Sequence, residues 1–208
     1  MRRPTPPVAI AACLLVCAQA VRADAGAELY QSRCAACHQA DASGNEALRA
    51  PALAGLTTDY LARQLRNFRD GIRGSHDNDA EGQIMRATAV GLTDADLQEL
   101  GDYLADLPAT RAPPPPRKAG LAGRGLYSGC ASCHGSRGEG TPELDAPRIA
   151  GQYSGYLKAQ LLKFRNGERG AHPEDRYGAQ MRQMADAIPD GQAIDELLGY
   201  LGTLGNDP

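Results

Sequence analysis

Residues 34–38 read Cys34-Ala35-Ala36-Cys37-His38, and residues 130–134 read Cys130-Ala131-Ser132-Cys133-His134. Two thiols three positions apart, followed at once by an imidazole, suit covalent capture of haem. The thiols add to its two vinyl groups and the adjacent His binds the iron. A structural zinc site would hold its two Cys pairs about 15–20 residues apart, whereas most of a repeat and a linker lie between Cys37 and Cys130. A thioredoxin-like redox CxxC belongs in a strand–helix context, and no stretch here alternates convincingly as a strand does. The pattern predicts two covalently bound haem c groups, attached through Cys34, Cys37, Cys130 and Cys133, with His38 and His134 as iron ligands.

Working outward, residues 96 apart match repeatedly. Cys34/Cys130, His38/His134, Pro51/Pro147, Ala54-Gly55/Ala150-Gly151, Tyr60-Leu61/Tyr156-Leu157, Gln64-Leu65/Gln160-Leu161, Phe68-Arg69/Phe164-Arg165 and Arg73-Gly74/Arg169-Gly170 all pair in this way. A long unit repeated only twice means two homologous domains and not a solenoid, which needs more and shorter repeats. Towards the ends the offset becomes 97, at Leu29-Tyr30/Leu126-Tyr127 and Tyr103-Leu104/Tyr200-Leu201.

The chain starts with Met1-Arg2-Arg3, continues with an apolar run from Val8 to Ala20, and offers small-residue ends at Ala20 and Ala23. This reads as a secretory signal peptide over residues 1–23, since the run is shorter than the roughly 20 residues a membrane span needs. Cys13 in Ile10-Ala11-Ala12-Cys13 gives a faint lipoprotein alternative. The expected organisation is a first domain over 24–107, a Pro-rich linker over 108–122 around Pro113-Pro114-Pro115-Pro116, and a second domain over 123–208. A mean hydropathy of -0.41 and 23% charged residues exclude a polytopic membrane protein and a disordered chain. Two Phe, eight Tyr and no Trp are thin filling for two small cores, as though something other than protein occupies the interior.

The periodicity is helical throughout, so the expected class is all-α. Leu61, Leu65 and Phe68 fall at i, i+4, i+7, as do Leu157, Leu161 and Phe164, each stripe ending at a Gly suited to C′. A second helix follows Thr93, with Asp96 completing a capping-box variant, and its counterpart starts near Asp190. Short helices should precede each Cys pair. Thirteen residues beyond each motif His sits Pro51 or Pro147, placed to offer a carbonyl to the free imidazole N–H. Each repeat supplies one Met at matching offset, Met85 and Met181, as the distal iron ligand; Met184 competes for the second site. His76 and His172 also match and give a rival distal ligand, although both sit in polar loops. Arg69, Arg73, Arg165 and Arg169 are candidates either for the haem propionates or for solvated helix ends.

Taken together, these residues resemble the cytochromes c4, exported bacterial dihaem electron carriers built from two fused class I cytochrome c domains. The likeness rests on the CxxCH pairs, the Ala-Pro-x-(Leu/Ile)-Ala-Gly segments at Pro51 and Pro147, the Tyr-Leu-x-x-Gln-Leu-x-x-Phe-Arg helices, and the distal Met followed by a capped helix ending in Tyr-Leu. The resemblance implies His38/Met85 and His134/Met181 ligation and haems facing each other across a pseudo-twofold interface. It also implies a periplasmic carrier in respiratory electron transport, not an enzyme, working between a quinol-oxidising cytochrome bc complex and a haem-copper oxidase or periplasmic reductase. Neither nucleic acid nor a small-molecule substrate is expected as partner. The alternatives are a dihaem subunit of a larger oxidoreductase, docked peripherally to a membrane complex, or a dihaem enzyme such as a peroxidase or thiosulfate-oxidising cytochrome. The charge is uneven: residues 24–108 carry 14 acidic and 7 basic side chains, residues 109–208 carry 11 and 12. Such a difference orients a molecule in the field of a charged partner.

Overall fold

The computed structural model describes residues 25–110 and 120–204. The expected signal peptide and the four consecutive prolines of the linker lie outside the described residues. Within them the chain is helical, and the only extended pairings are the isolated antiparallel bridges Asn45–Ala50 and Thr141–Ala146. The first repeat runs α1 (25–33), α2 (Ala35–His38), α3 (Thr58–Arg69), α4 (Ala80–Ala89) and α5 (Asp94–Asp106). The second runs α6 (Leu121–His134), α7 (Ser154–Arg165), α8 (Arg176–Asp186) and α9 (Gly191–Leu204). One 3-10 turn follows each CxxCH motif, at Glu46–Leu48 and Pro142–Leu144. None of these helices is long and apolar enough to cross a membrane.

In each repeat the first and last helices cross at a glycine. A Cβ on Gly26 would overlap the Glu99 carbonyl, and one on Gly123 would overlap the Glu196 carbonyl, so only hydrogen allows the approach. Beside each crossing two tyrosines meet, Tyr30 with Tyr103 at 5.6 Å between ring centroids and Tyr127 with Tyr200 at 5.5 Å. Tyr30 and Tyr127 are buried, and their hydroxyls donate to Gln39 O (2.7 Å) and Gly135 O (2.5 Å), just past each motif His. The tilted ring contact therefore ties the helix crossing to the end of the CxxCH motif.

The expected caps form. Thr93 and Asp96 make the reciprocal capping box at the start of α5, and Asp190 accepts from Ala193 N (2.8 Å) at the start of α9. Gly71 and Gly167 take φ +76° and +75° just past α3 and α7, the left-handed conformation that ends a helix. The leucine stripes then point inward: Leu61, Phe68, Leu97, Leu100 and Leu104 are buried in the first repeat, and Ile194, Leu197 and Leu201 in the second.

Two features differ from the sequence reading. The helices expected to precede the Cys pairs run on through them to the His; α6 does so without a break, whereas the first repeat turns at Cys34 between α1 and α2. The helices α4 and α8 were not expected. Each is opened by an Asp, Asp79 or Asp175, whose carboxylate accepts from Gly82 N or Gly178 N at 2.9 Å. A Cβ at either glycine would sit on that carboxylate.

These contacts predict opposite outcomes for two neighbouring glycines of α6. Gly123→Ala should destabilise the protein by about 1–3 kcal/mol, because the methyl meets backbone that cannot yield. Gly125 faces open space, so Gly125→Ala should stabilise by about 0.4–1 kcal/mol. Denaturant unfolding of the haem-loaded protein checks both.

Candidate functional site

Each motif His is held by the proline that the spacing singled out. His38 Nδ1 lies 2.9 Å from Pro51 O, and His134 Nδ1 lies 2.8 Å from Pro147 O. A carbonyl can only accept, so Nδ1 carries the proton and the Nε2 lone pair is left to bind a metal. Both imidazoles are buried, and burial pushes their pKa below the ordinary value against the raising effect of the proline carbonyl. They are neutral near pH 7, as metal ligation requires.

His38 and His134 line one continuous cavity of about 390 Å³, shared by the two repeats and walled mainly by apolar side chains such as Leu61, Leu65, Phe68, Leu157 and Phe164. Cys34, Cys37 and Cys130 reach it, and so do Met85 from α4 and Met181 from α8. Met184 does not: it is 40% exposed and its methyl lies over Gly129. His76 and His172 are exposed and bonded locally, His76 Nδ1 accepting from Asn78 N (3.2 Å) and His172 Nδ1 from Glu174 N (3.3 Å). No disulfide joins any of the four motif cysteines. As thiols awaiting attachment, Cys34 would be pushed by burial up to about 11 and Cys130 would be raised as well, the reverse of the depressed thiols of redox-active CxxC sites.

The four arginines separate into two kinds. Arg69 and Arg165 are not turned to the cavity: Arg69 donates to Leu92 O (3.2 Å) and pairs with Asp94 (2.9 Å), and Arg165 donates to Ile188 O, so both close the corner before the last helix. Arg73 and Arg169 line the cavity, only 7% and 8% exposed, with their guanidinium groups over the rings of Phe68 and Phe164. Each bonds across the two repeats. Arg73 donates to Gln64 (2.7 Å) and Gln160 (3.0 Å), and Arg169 donates to Gln160 (2.7 Å) and Gln64 (2.9 Å). This reciprocal set marks the pseudo-twofold axis.

Both guanidinium groups keep a buried Nε without a hydrogen-bond partner, and neither pairs with a carboxylate among the described residues. Two buried cations with only neutral acceptors are strongly unfavourable. A haem brings the propionate carboxylates that such guanidinium forks take. The apolar walls, the neutral imidazoles and the paired thiols fit the same group, so the residues present suit a haem in each repeat.

Three further contacts across the repeats were not legible in the sequence. Arg63 pairs with Asp145 Oδ1 (2.7 Å), donates to Asp145 O (2.8 Å) and lies over the Tyr177 ring. Lys163 bonds to Asp79, the cap of α4, and to Glu81 (2.7 Å). Gln152 brackets Ala52, its Oε1 accepting from Ala52 N (3.0 Å) and its Nε2 donating to Ala52 O (2.9 Å).

Comparison with known proteins agrees with this geometry. The cytochrome c family model matches residues 23–108 and again 121–205. The thiosulfate dehydrogenase electron acceptor of Stutzerimonas stutzeri (strain A1501) is 34% identical over 214 residues, 94% of each chain. Among solved structures, reduced recombinant cytochrome c4 from Pseudomonas stutzeri superposes with a TM-score of 0.71 at 27% identity, over 86% of this chain and 97% of that one. A thiosulfate dehydrogenase from Marichromatium purpuratum gives a TM-score of 0.71 at 33% identity; 89% of this chain is covered, but it spans only 40% of that protein.

The Lys163 contact makes the interface sensitive to acid. Lys163 holds the Glu81 carboxyl down at about 2, against an ordinary 4.5. A carboxyl depressed in the folded state stabilises it above the unfolded pKa and ceases to do so as pH falls through the folded one. Docking of the two repeats should therefore weaken between about pH 4.5 and 2. In Lys163→Met that part of the acid dependence should become shallower, as read by unfolding at a series of pH values.

Proposed function

The chain belongs to the cytochrome c family, as two tandem domains of the cytochrome c4 type with one covalent haem c each, and on that premise we propose that it is a periplasmic electron carrier with two His/Met-ligated haems. Electron transfer between redox proteins is the role of this family. The finer reading assigns His38 and Met85 to the first iron, His134 and Met181 to the second, and the thioether links to Cys34, Cys37, Cys130 and Cys133.

The observation that carries it is the pairing within the cavity: Met85 and Met181 line it together with the two motif imidazoles, while Met184, His76 and His172 lie outside. Bound haem iron takes up and gives back one electron between its ferric and ferrous states. The protein's part is to change little as it does so. His38 and His134 are locked by the proline carbonyls, the apolar walls exclude water, and the Met thioethers favour the reduced state and raise the potential. With one His and one Met for each iron, these residues would leave no open position for a substrate, which favours a carrier over a peroxidase or a thiosulfate-oxidising enzyme.

For the donor, the name of the Stutzerimonas relative favours an oxidoreductase of the thiosulfate dehydrogenase kind over the quinol-oxidising cytochrome bc complex. The Marichromatium structure, a longer thiosulfate dehydrogenase of which this chain matches part, supports the same choice. The acceptor is then a haem-copper oxidase or a periplasmic reductase. With its excess of acidic side chains, the first domain suits the more basic of the two partner surfaces.

The spectrum of the oxidised protein tests the ligation. It should show the weak far-red sulfur-to-iron charge-transfer band, and Met85→Ala and Met181→Ala should each remove about half of it, with Met184→Ala leaving it intact. Absence of the band from the native protein would show that thioether ligation is wrong. Stopped-flow mixing tests the donor: reduction by thiosulfate with a thiosulfate dehydrogenase should outpace reduction by a cytochrome bc complex, and should slow as salt is raised.

A further inference from the structure

We propose that Gln152, in the second domain, tunes the first haem by gripping the peptide group that holds its histidine. The inference rests on His38 being the iron ligand of that haem. The Pro51 carbonyl that accepts from His38 Nδ1 (2.9 Å) and the Ala52 N–H that donates to Gln152 Oε1 (3.0 Å) belong to one and the same peptide group. The chain of bonds runs from the imidazole N–H through the Pro51–Ala52 amide to the side-chain amide of Gln152. Ala52 O, bonded by Gln152 Nε2 at 2.9 Å, fixes the side chain in that orientation. The assignment of O and N at Gln152 is not free, because Ala52 N can only donate and Ala52 O can only accept.

Hydrogen bonds in series polarise one another. An amide whose N–H is taken up by an acceptor carries more charge on its carbonyl oxygen, so Pro51 O accepts more strongly from His38. A stronger bond at Nδ1 makes the imidazole a more basic ligand through Nε2, which favours ferric iron. Gln152 thereby lowers the potential of the first haem, and does so only while the domains are docked.

The duplication does not repeat this residue: 96 positions before Gln152 stands Leu56, which has no side-chain amide, so replacing Gln152 acts on the His38 side of the molecule. Gln152 is a positioning residue: it acts on the iron through the Pro51–Ala52 peptide group and His38.

The test uses the full haem-loaded protein and its Gln152→Leu and Gln152→Glu variants. Proton NMR of the reduced state follows the His38 and His134 ring N–H signals, and a redox titration resolves the two haems. In Gln152→Leu the His38 N–H signal should move upfield, and an electron's preference for the first haem over the second should rise about threefold. The His134 signal should stay in place. Gln152→Glu keeps an acceptor for Ala52 N but loses the donor to Ala52 O, and should hold the His38 signal at or downfield of its native position. A general loosening of the interface would instead move both histidines, or move His38 upfield in both variants; either result, or an unmoved His38 in Gln152→Leu, overturns the proposal. If His38 in the native protein lacks the large ring-current shifts of a haem ligand, it is the ligation reading that has failed.

Discussion

Because a proline carbonyl has no choice but to accept, the contact from each motif imidazole to Pro51 or Pro147 decides which nitrogen faces the cavity. Everything else in a repeat serves that orientation. The helix carrying the CxxCH motif is pinned at its far side by the tyrosine pair and the glycine crossing. The loop carrying the proline is pinned by the bridges Asn45–Ala50 and Thr141–Ala146. The helix bearing the Met is started by an Asp cap that tolerates only glycine at its third position. Three separate segments thus meet around one point with little freedom, as a site that must not rearrange on gaining an electron requires.

The thin aromatic content has a matching explanation. Each domain keeps one Phe and a pair of Tyr rings in tilted contact, and leaves the middle of its helices to the cofactor. The two buried Phe rings also carry the guanidinium groups of Arg73 and Arg169. These cations lie on the axis between the domains and form no ion pair with a carboxylate among the described residues, so haem propionates bound there would complete the interior in electrostatic terms as well as in volume.

What the sequence made legible follows from repetition and spacing. Offsets of 96 revealed the duplication, the His-to-Pro spacing of thirteen forecast the imidazole contact, and Thr93 with Asp96 forecast the capping box. The helices α4 and α8 escaped notice because each carries an internal glycine and polar residues on most of its surface, with its apolar face reduced to a few side chains. The arginines were grouped together because sequence spacing cannot tell a guanidinium that caps a corner from one that turns inward nine residues after its glutamine partner. Contacts between the repeats were hidden for a different reason. Lys163 and Gln152 stand opposite Asn67 and Leu56 in the register of the duplication, so matching the repeats discards them as noise.

Those mismatches are unlike on the two sides of the interface. Arg73, Arg169, Gln64 and Gln160 bond reciprocally, and each domain gives what it receives. Lys163 and Gln152 do not. Both belong to the second domain, and they hold the first domain at the supports of two cavity-lining side chains: Lys163 at Asp79, which starts the Met85 helix, and Gln152 at the peptide beside Pro51, the partner of His38. A duplicated cytochrome begins with two equal sites, between which an electron has no preferred direction. Arg63 of the first domain makes a different contact in return, to Asp145 and over the Tyr177 ring of α8, so each domain holds the other by contacts of its own, and this difference exists only in the docked molecule. Asymmetry of that kind needs no new fold and no change in any motif residue; unmatched side chains at the interface supply it, because the proline carbonyl and the helix cap already connect the surface of the first domain to its cavity.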